Sequence, residues 1–185
     1  MIIAIVLSIV LCDRITKFLA LKHLVLHQPV EIIQNIFSFT LVHNRGAAFG
    51  ILRDQVPFFI FASVLAIIII LLYFKRCAFW DKIALSLILA GAAGNLYDRI
   101  VYGYVVDFLD FKVFPVFNIA DSAISIGGVL IAFSILRLSY MDMKQKNGNK
   151  KKKIKRRREG NPRCRKFSLY QNRNAKSNHK DPCAE

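Results

Sequence analysis

Uninterrupted apolar runs dominate the chain. Val56 to Phe74 is 19 residues without a charge, close to the roughly 20 needed to cross hydrocarbon at about 1.5 Å of rise each. Three further runs are nearly as apolar, and the pattern predicts four spans, at about residues 2–21, 56–74, 83–101 and 116–136. Pro57 falls in the first turn of the second span, where its missing N–H costs nothing, and Pro115 stands just before the fourth. A soluble domain of 185 residues can bury one such helix, but not four.

About 34 residues separate the first two spans, too many for a simple turn. Within that segment, about 22–55, Ile36-Phe37-Ser38-Phe39-Thr40-Leu41 partly alternates apolar and polar side chains, which predicts a strand. The small-residue turn Asn44-Arg45-Gly46-Ala47-Ala48-Phe49-Gly50 follows. Backbone at membrane depth must be hydrogen-bonded, so the segment is expected to fold as a small sheet resting on the helices at the interface. The expected fold class is a mainly α membrane protein. It comprises a four-transmembrane-helix bundle (residues 1–140), a small extracytoplasmic β-rich segment, and a disordered basic C-terminal tail (residues 141–185).

Charge sharpens the division. The chain is 55% hydrophobic yet has a net charge of +15. Lys144 to Glu185 hold 16 Lys and Arg against 3 Asp and Glu, a net +13, which leaves +2 for the first 143 residues. The short stretch Lys75 to Lys82 holds three basic residues, and the tail is basic throughout. Basic loops stay in the cytoplasm, so both termini are expected there, with the long first loop and Asp107 on the opposite side. Trp80 and Tyr73 suit the cytoplasmic interface. The tail, beginning Lys150-Lys151-Lys152-Lys153-Ile154-Lys155-Arg156-Arg157-Arg158, reads first as a solvated topology signal. Contact with anionic lipid headgroups or RNA is the sharper alternative.

Cys12, Cys77, Cys164 and Cys183 show no metal-ligand spacing and no disulfide framework. Met1 to Leu11 lacks a basic n-region and a small-residue cleavage site, so it reads as the start of an uncleaved first span.

The polar exceptions inside the apolar runs carry the chemistry. Asp121 lies within the run from Val113 to Leu136, and Asp107 lies in Val105-Val106-Asp107-Phe108. An ionised carboxylate near hydrocarbon costs on the order of several kcal/mol, so such groups usually face a polar cavity. Two of them near one site raise each other's proton affinity, which is how a carboxylate pair activates water. Asn118 lies three residues before Asp121. Asn95 and Arg99 are four apart at the end of the third span, where Arg99 either pairs with Asp98 or points inward to grip a carboxylate or a substrate carbonyl. Asp13 and Lys17, also four apart, read most simply as a helix-surface ion pair with Lys17 snorkelling outward. Gly91 and Gly94 allow close helix approach. The four histidines form no HExxH, no GxSxG elbow is present, and nothing local supports Lys17 activating Ser122 or Ser125. A small proton-coupled transporter is the competing class, but it gives the long outer loop no purpose. A scaffold recruiting partners through the tail leaves both aspartates unexplained.

Five blocks, in order between Leu11 and Leu136, resemble the lipoprotein signal peptidases (type II). They are Asp13-Arg14-Ile15-Thr16-Lys17, the turn Asn44 to Gly50, Gly91 to Arg99, Val105-Val106-Asp107-Phe108, and Phe117-Asn118-Ile119-Ala120-Asp121-Ser122. The resemblance implies an aspartic endopeptidase of the bacterial inner membrane. Its expected substrate is a prolipoprotein whose cysteine carries diacylglycerol, cleaved just before that cysteine near the periplasmic face. It further implies Asp107 and Asp121 as the catalytic dyad, and Asn44, Asn95, Arg99 and Asn118 as residues lining the substrate site. Asp13, Lys17 and Gly46 would be supporting residues. No metal and no cofactor are expected, globomycin is the expected inhibitor, and the enzyme is expected to act as a monomer.

Overall fold

The structure is a computed structural model that describes residues 2–46 and 54–160. Two compact units divide the chain, Met1–Ser134 and Ile135–Glu185. Among the described residues, the first unit contains α1 (Ile2–His23), β1 (Val30–Ile33), β2 (Phe37–Asn44), α2 (Val56–Tyr73), α3 (Phe79–Tyr102) and β3 (Val105–Asp110). It also contains the start of α4 (Ile119–Gly160).

Each helix stops for a local reason. Pro57 is accepted in the first turn of α2, and the basic turn Phe74–Arg76 follows that helix. Gly103 ends α3 in the left-handed region at φ 73°, its N–H donating to the Arg99 carbonyl at 3.2 Å. The expected fourth span began at Val116, whereas α4 begins at Ile119. Phe117 is still extended, exchanging backbone hydrogen bonds with Leu109 at 2.8 and 3.0 Å, so the helix starts only once that pairing ends.

The strand expected within 36–41 is the centre of a three-stranded antiparallel sheet in the order β1-β2-β3. Asn44 pairs with Val105 and Val42 with Asp107, which places the Asp107 segment in a strand rather than in a loop. Ala20, Leu41, Val106 and Phe108 form a buried cluster between the end of α1 and the sheet. α1 and α2 both pack on α3. Gly94 makes one approach possible: a Cβ there would lie 2.8 Å from Asp13 Oδ2. A Cβ at Gly91 would strike the Ala120 carbonyl, so α3 and the start of α4 are in contact there too.

Among the described residues, two helical segments are long and apolar enough to cross a membrane, Val56–Arg76 and Ile119–Lys150. α2 buries only Ile70 and exposes Phe58, Phe61, Leu65, Leu71 and Leu72. A helix apolar on every side and covered on only one needs an apolar solvent.

In the second unit, the described residues continue α4 as helix to Gly160. This corrects the expectation of disorder from residue 141. Met, Lys, Gln and Arg cost little in a helix, and here they extend one already nucleated. Residues 161–185 and the expected small-residue turn at 47–50 lie outside the described residues.

Candidate functional site

The centre of the first unit is polar. Asp13, Lys17, Asn95, Asp98, Asp107 and Asn118 are all buried, the least covered of them 5% exposed. They come from four elements: α1, α3, β3 and the turn into α4.

One part is a charge-balanced quartet. Arg14 Nη1 lies 2.6 Å from Asp98 Oδ1 and Nη2 lies 2.7 Å from Asp13 Oδ2. Lys17 Nζ lies 3.0 Å from Asp13 Oδ2 and 2.7 Å from Asp98 Oδ2. Two cations answer two carboxylates, which is what makes four buried charges tolerable. The same carboxylates also hold backbone: Asp13 Oδ1 accepts the Ala120 N–H at 3.0 Å, and Asp98 Oδ2 accepts the Val106 N–H at 3.2 Å. The quartet therefore joins α1 to α3 and fixes both the first turn of α4 and the strand carrying Asp107. Lys17 was expected to snorkel outward from a surface pair. It points inward instead and is 2% exposed, because two carboxylates and an amide satisfy its ammonium there. Asp98 is likewise spent on Arg14 and Lys17, leaving Arg99 to lie over the Phe59 ring at 5.0 Å. Arg14 and Asp98 went unassigned in the sequence, although their signal was there. A cation beside Asp13 and a carboxylate three residues after Asn95, both within apolar runs, need partners.

The second part joins Asp107 and Asp121 through asparagine amides. Asn118 caps α4: its Oδ1 accepts the Asp121 N–H at 2.9 Å, while Asp121 Oδ2 accepts the Asn118 N–H at 3.3 Å. This is a reciprocal capping box with Asp in the place usually held by Glu. Asn118 Nδ2 then donates to Asp107 Oδ1 at 2.7 Å and to Asn95 Oδ1 at 3.2 Å. Asn95 Nδ2 donates to Asp121 Oδ1 at 2.7 Å, and Asn44 Nδ2 donates to Asp107 Oδ2 at 2.9 Å. Asn44 is itself held by the Gly46 N–H at 2.9 Å. All four carboxylate oxygens thus accept a hydrogen bond, but among the described residues neither aspartate pairs with a cation. Burial and the neighbouring Asp121 charge push the Asp107 carboxyl up to about 7, against the hydrogen bonds from Asn44 and Asn118 and the field of Lys17.

Beside this pair opens a cavity of about 690 Å³. Asn44, Gly46, Asn95, Arg99 and Asp121 form its polar end. Val105, Phe111, Phe114, Phe117, Ile124 and Ile126 line the rest, which is apolar. The rings of Phe111 and Phe117 stack at 5.8 Å to hold one wall. Asp107 and Asn118 sit behind that surface, each at most 1% exposed. Asp13 and Lys17 are further back still, in the quartet.

The family model of signal peptidase (SPase) II matches residues 5–137. The chain belongs to the signal peptidase II family. It is 43% identical over 133 residues to the lipoprotein signal peptidase of Halothermothrix orenii, covering 71% of this chain and 92% of that one. To the lipoprotein signal peptidase of Clostridium tetani it is 46% identical over 152 residues, covering 77% and 97%. Among solved structures, a bacterial membrane enzyme determined by the in meso method at 2.3 Å resolution matches with a TM-score of 0.70 and 35% identity. That match covers 74% of this chain and 87% of the solved one. The signal peptidase II match takes in both carboxylate pairs and ends at residue 137, before the basic part of α4.

Proposed function

We propose that this signal peptidase II is an aspartic endopeptidase that removes the signal peptide from prolipoproteins carrying a diacylglyceryl-cysteine, cutting just before that cysteine. Asp107 and Asp121 are its catalytic dyad. The observation that carries the reading is the amide bridge: the buried Asp107 and the half-buried Asp121 share asparagine donors and, among the described residues, no cation, at the polar end of an apolar cavity.

Charge counting supports a single shared proton. Asp13, Asp98, Asp107 and Asp121 face Arg14, Lys17 and Arg99. Four carboxylates and three cations are neutral together when the dyad keeps one proton, which is the arrangement a low-dielectric site favours. The ionised aspartate takes a proton from water as the water oxygen bonds to the scissile carbonyl carbon. The protonated aspartate hydrogen-bonds the carbonyl oxygen and stabilises the charge developing there. When the C–N bond breaks, the first aspartate returns its proton to the leaving amine, so the dyad ends with the one proton it began with.

The apolar cavity suits acyl chains and a signal helix, and Arg99 and Asn44 stand where a peptide carbonyl would meet them. α1 to α4 all span the bacterial inner membrane, both termini are cytoplasmic, and the sheet with the active site lies at the periplasmic face. Four of the charges that keep α1 and α3 from looking fully apolar, Asp13, Arg14, Lys17 and Asp98, neutralise one another inside the protein.

Incubating the purified enzyme with a lipidated precursor tests this directly. Cleavage is expected, blocked by globomycin and absent from the unlipidated precursor. Equal cleavage of both precursors would overturn the substrate assignment. Turnover by Asp107→Asn or Asp121→Asn would overturn the dyad.

A further inference from the structure

Asn95 has one amide, and the structure leaves it one orientation. Its Oδ1 accepts from Lys17 Nζ at 3.0 Å and from Asn118 Nδ2 at 3.2 Å. Both are donors only, so Nδ2 is what faces Asp121 Oδ1 at 2.7 Å. Asn118 alone would not settle this, because its amide can also turn. The Lys17 ammonium cannot accept a hydrogen bond in any rotamer.

We infer that Lys17 is a positioning residue: through Asn95 it delivers a polarised N–H to Asp121, making Asp121 the ionised member and general base, and Asp107 the proton-bearing acid. This rests on the dyad reading above and deepens it by dividing the roles. Four features point the same way. Asp121 lies in the first turn of α4, where unpaired helix N–H groups favour a carboxylate, and it accepts the Asn118 backbone N–H. Its other oxygen receives the amide that a cation polarises. Asp107 sits on a strand, accepts only from two side-chain amides, and is 1% exposed, a setting that favours its neutral form. Asp121 lines the cavity where water enters, as a general base must.

The charged groups around the pair are Asp13, Arg14 and Lys17 from α1, and Asp98 and Arg99 from α3. Removing Lys17 alone would leave the quartet with an excess negative charge. The test therefore uses Lys17→Met combined with Asp13→Asn, which keeps the quartet neutral and leaves an acceptor for the Ala120 N–H. Asp13→Asn alone is the control. The readouts are kcat, KM and the pH profile for cleavage of a lipidated precursor by the full chain in detergent.

In the double variant, kcat is expected to fall about tenfold or more with KM within about twofold. The acid limb of kcat/KM is expected to move to higher pH, because ionising the base has lost a neighbouring cation. Lys17→Arg should keep the limb within a few tenths of a unit. In an Asn95→Ala background, Lys17→Met combined with Asp13→Asn should alter kcat no more than Asp13→Asn alone does. A fall in kcat with an unmoved acid limb would reduce Lys17 to a structural part, as would the same shift in Lys17→Arg or a full effect without Asn95. If the double variant does not fold, Lys17→Arg and the Asn95→Ala background decide by the same criteria. Wild type that cleaves normally while these tests fail would overturn the role assignment alone. Wild type that does not cleave would overturn the function itself.

Discussion

Two pairs of carboxylates, all buried except the half-buried Asp121, lie within one small helical unit, and their surroundings differ sharply. Asp13 and Asp98 are each gripped by both Arg14 and Lys17, at 2.6 to 3.0 Å. Such a pair does mechanical work, tying α1 to α3 and holding backbone N–H groups of α4 and β3. Among the described residues, Asp107 and Asp121 are held by amides and backbone alone. In the proposed dyad one of them keeps a proton, and a carboxyl that holds a proton beside one that does not is an acid next to a base. On the proposed reading, the same residue type is structural or catalytic according to whether its partner carries a charge.

The largest expected effect separates the two pairs outright. Asp107→Asn and Asp121→Asn should each reduce cleavage by about 10³-fold or more while leaving the melting temperature unchanged or higher. Arg14→Ala should do the reverse, losing about 3–5 kcal/mol of stability because it strands a buried carboxylate. Its activity loss should track the unfolded fraction, read from parallel melting curves and precursor cleavage. An Asp107 variant that fails to fold, or an Arg14 variant as stable as wild type, would erase the distinction.

Next in size is the pH response. In the folded protein the Asp107 carboxyl sits near 7, against 3.8 ordinarily, because burial and the Asp121 charge favour its neutral form. The folded state then holds a proton the unfolded state has released. Stability is therefore highest below about pH 4 as far as this group is concerned, and declines as pH rises towards 7. Asp107→Asn should abolish that decline in a series of melts between pH 5 and 8. Cleavage by wild type should fall along an alkaline limb as the shared proton is lost.

Smaller still is Gly94→Ala. A methyl group 2.8 Å from Asp13 Oδ2 should cost about 1–3 kcal/mol by prising α1 from α3, measurable by denaturation. Removing Lys144–Glu185 should have the least effect, leaving cleavage within about twofold, since the site lies wholly within residues 13–126.

Much of the contrast was legible in the sequence. Charged residues inside apolar runs announced themselves, and the spacing of Asn118 and Asp121 marked a shared turn. The partnering was not legible. Lys17 looked like a surface cation because sequence records its neighbour at i−4 and not Asp98, which α3 brings to it from 81 positions away. The strand that carries Asp107 was not legible either, because β3 is only six residues long and follows closely on a helix, so its pairing with β2 is a long-range fact. Helix in the basic part of α4 was missed because composition suggested a solvated tail, whereas continuity with a long apolar helix prevailed.

The proton itself can be seen most directly by infrared spectroscopy of the wild-type enzyme in detergent. A protonated carboxyl band should be present at pH 6, be absent from Asp107→Asn, and fade in wild type as pH passes about 7. No such band at pH 6, or one that Asp107→Asn leaves untouched, would contradict a proton held at Asp107 beside an ionised Asp121.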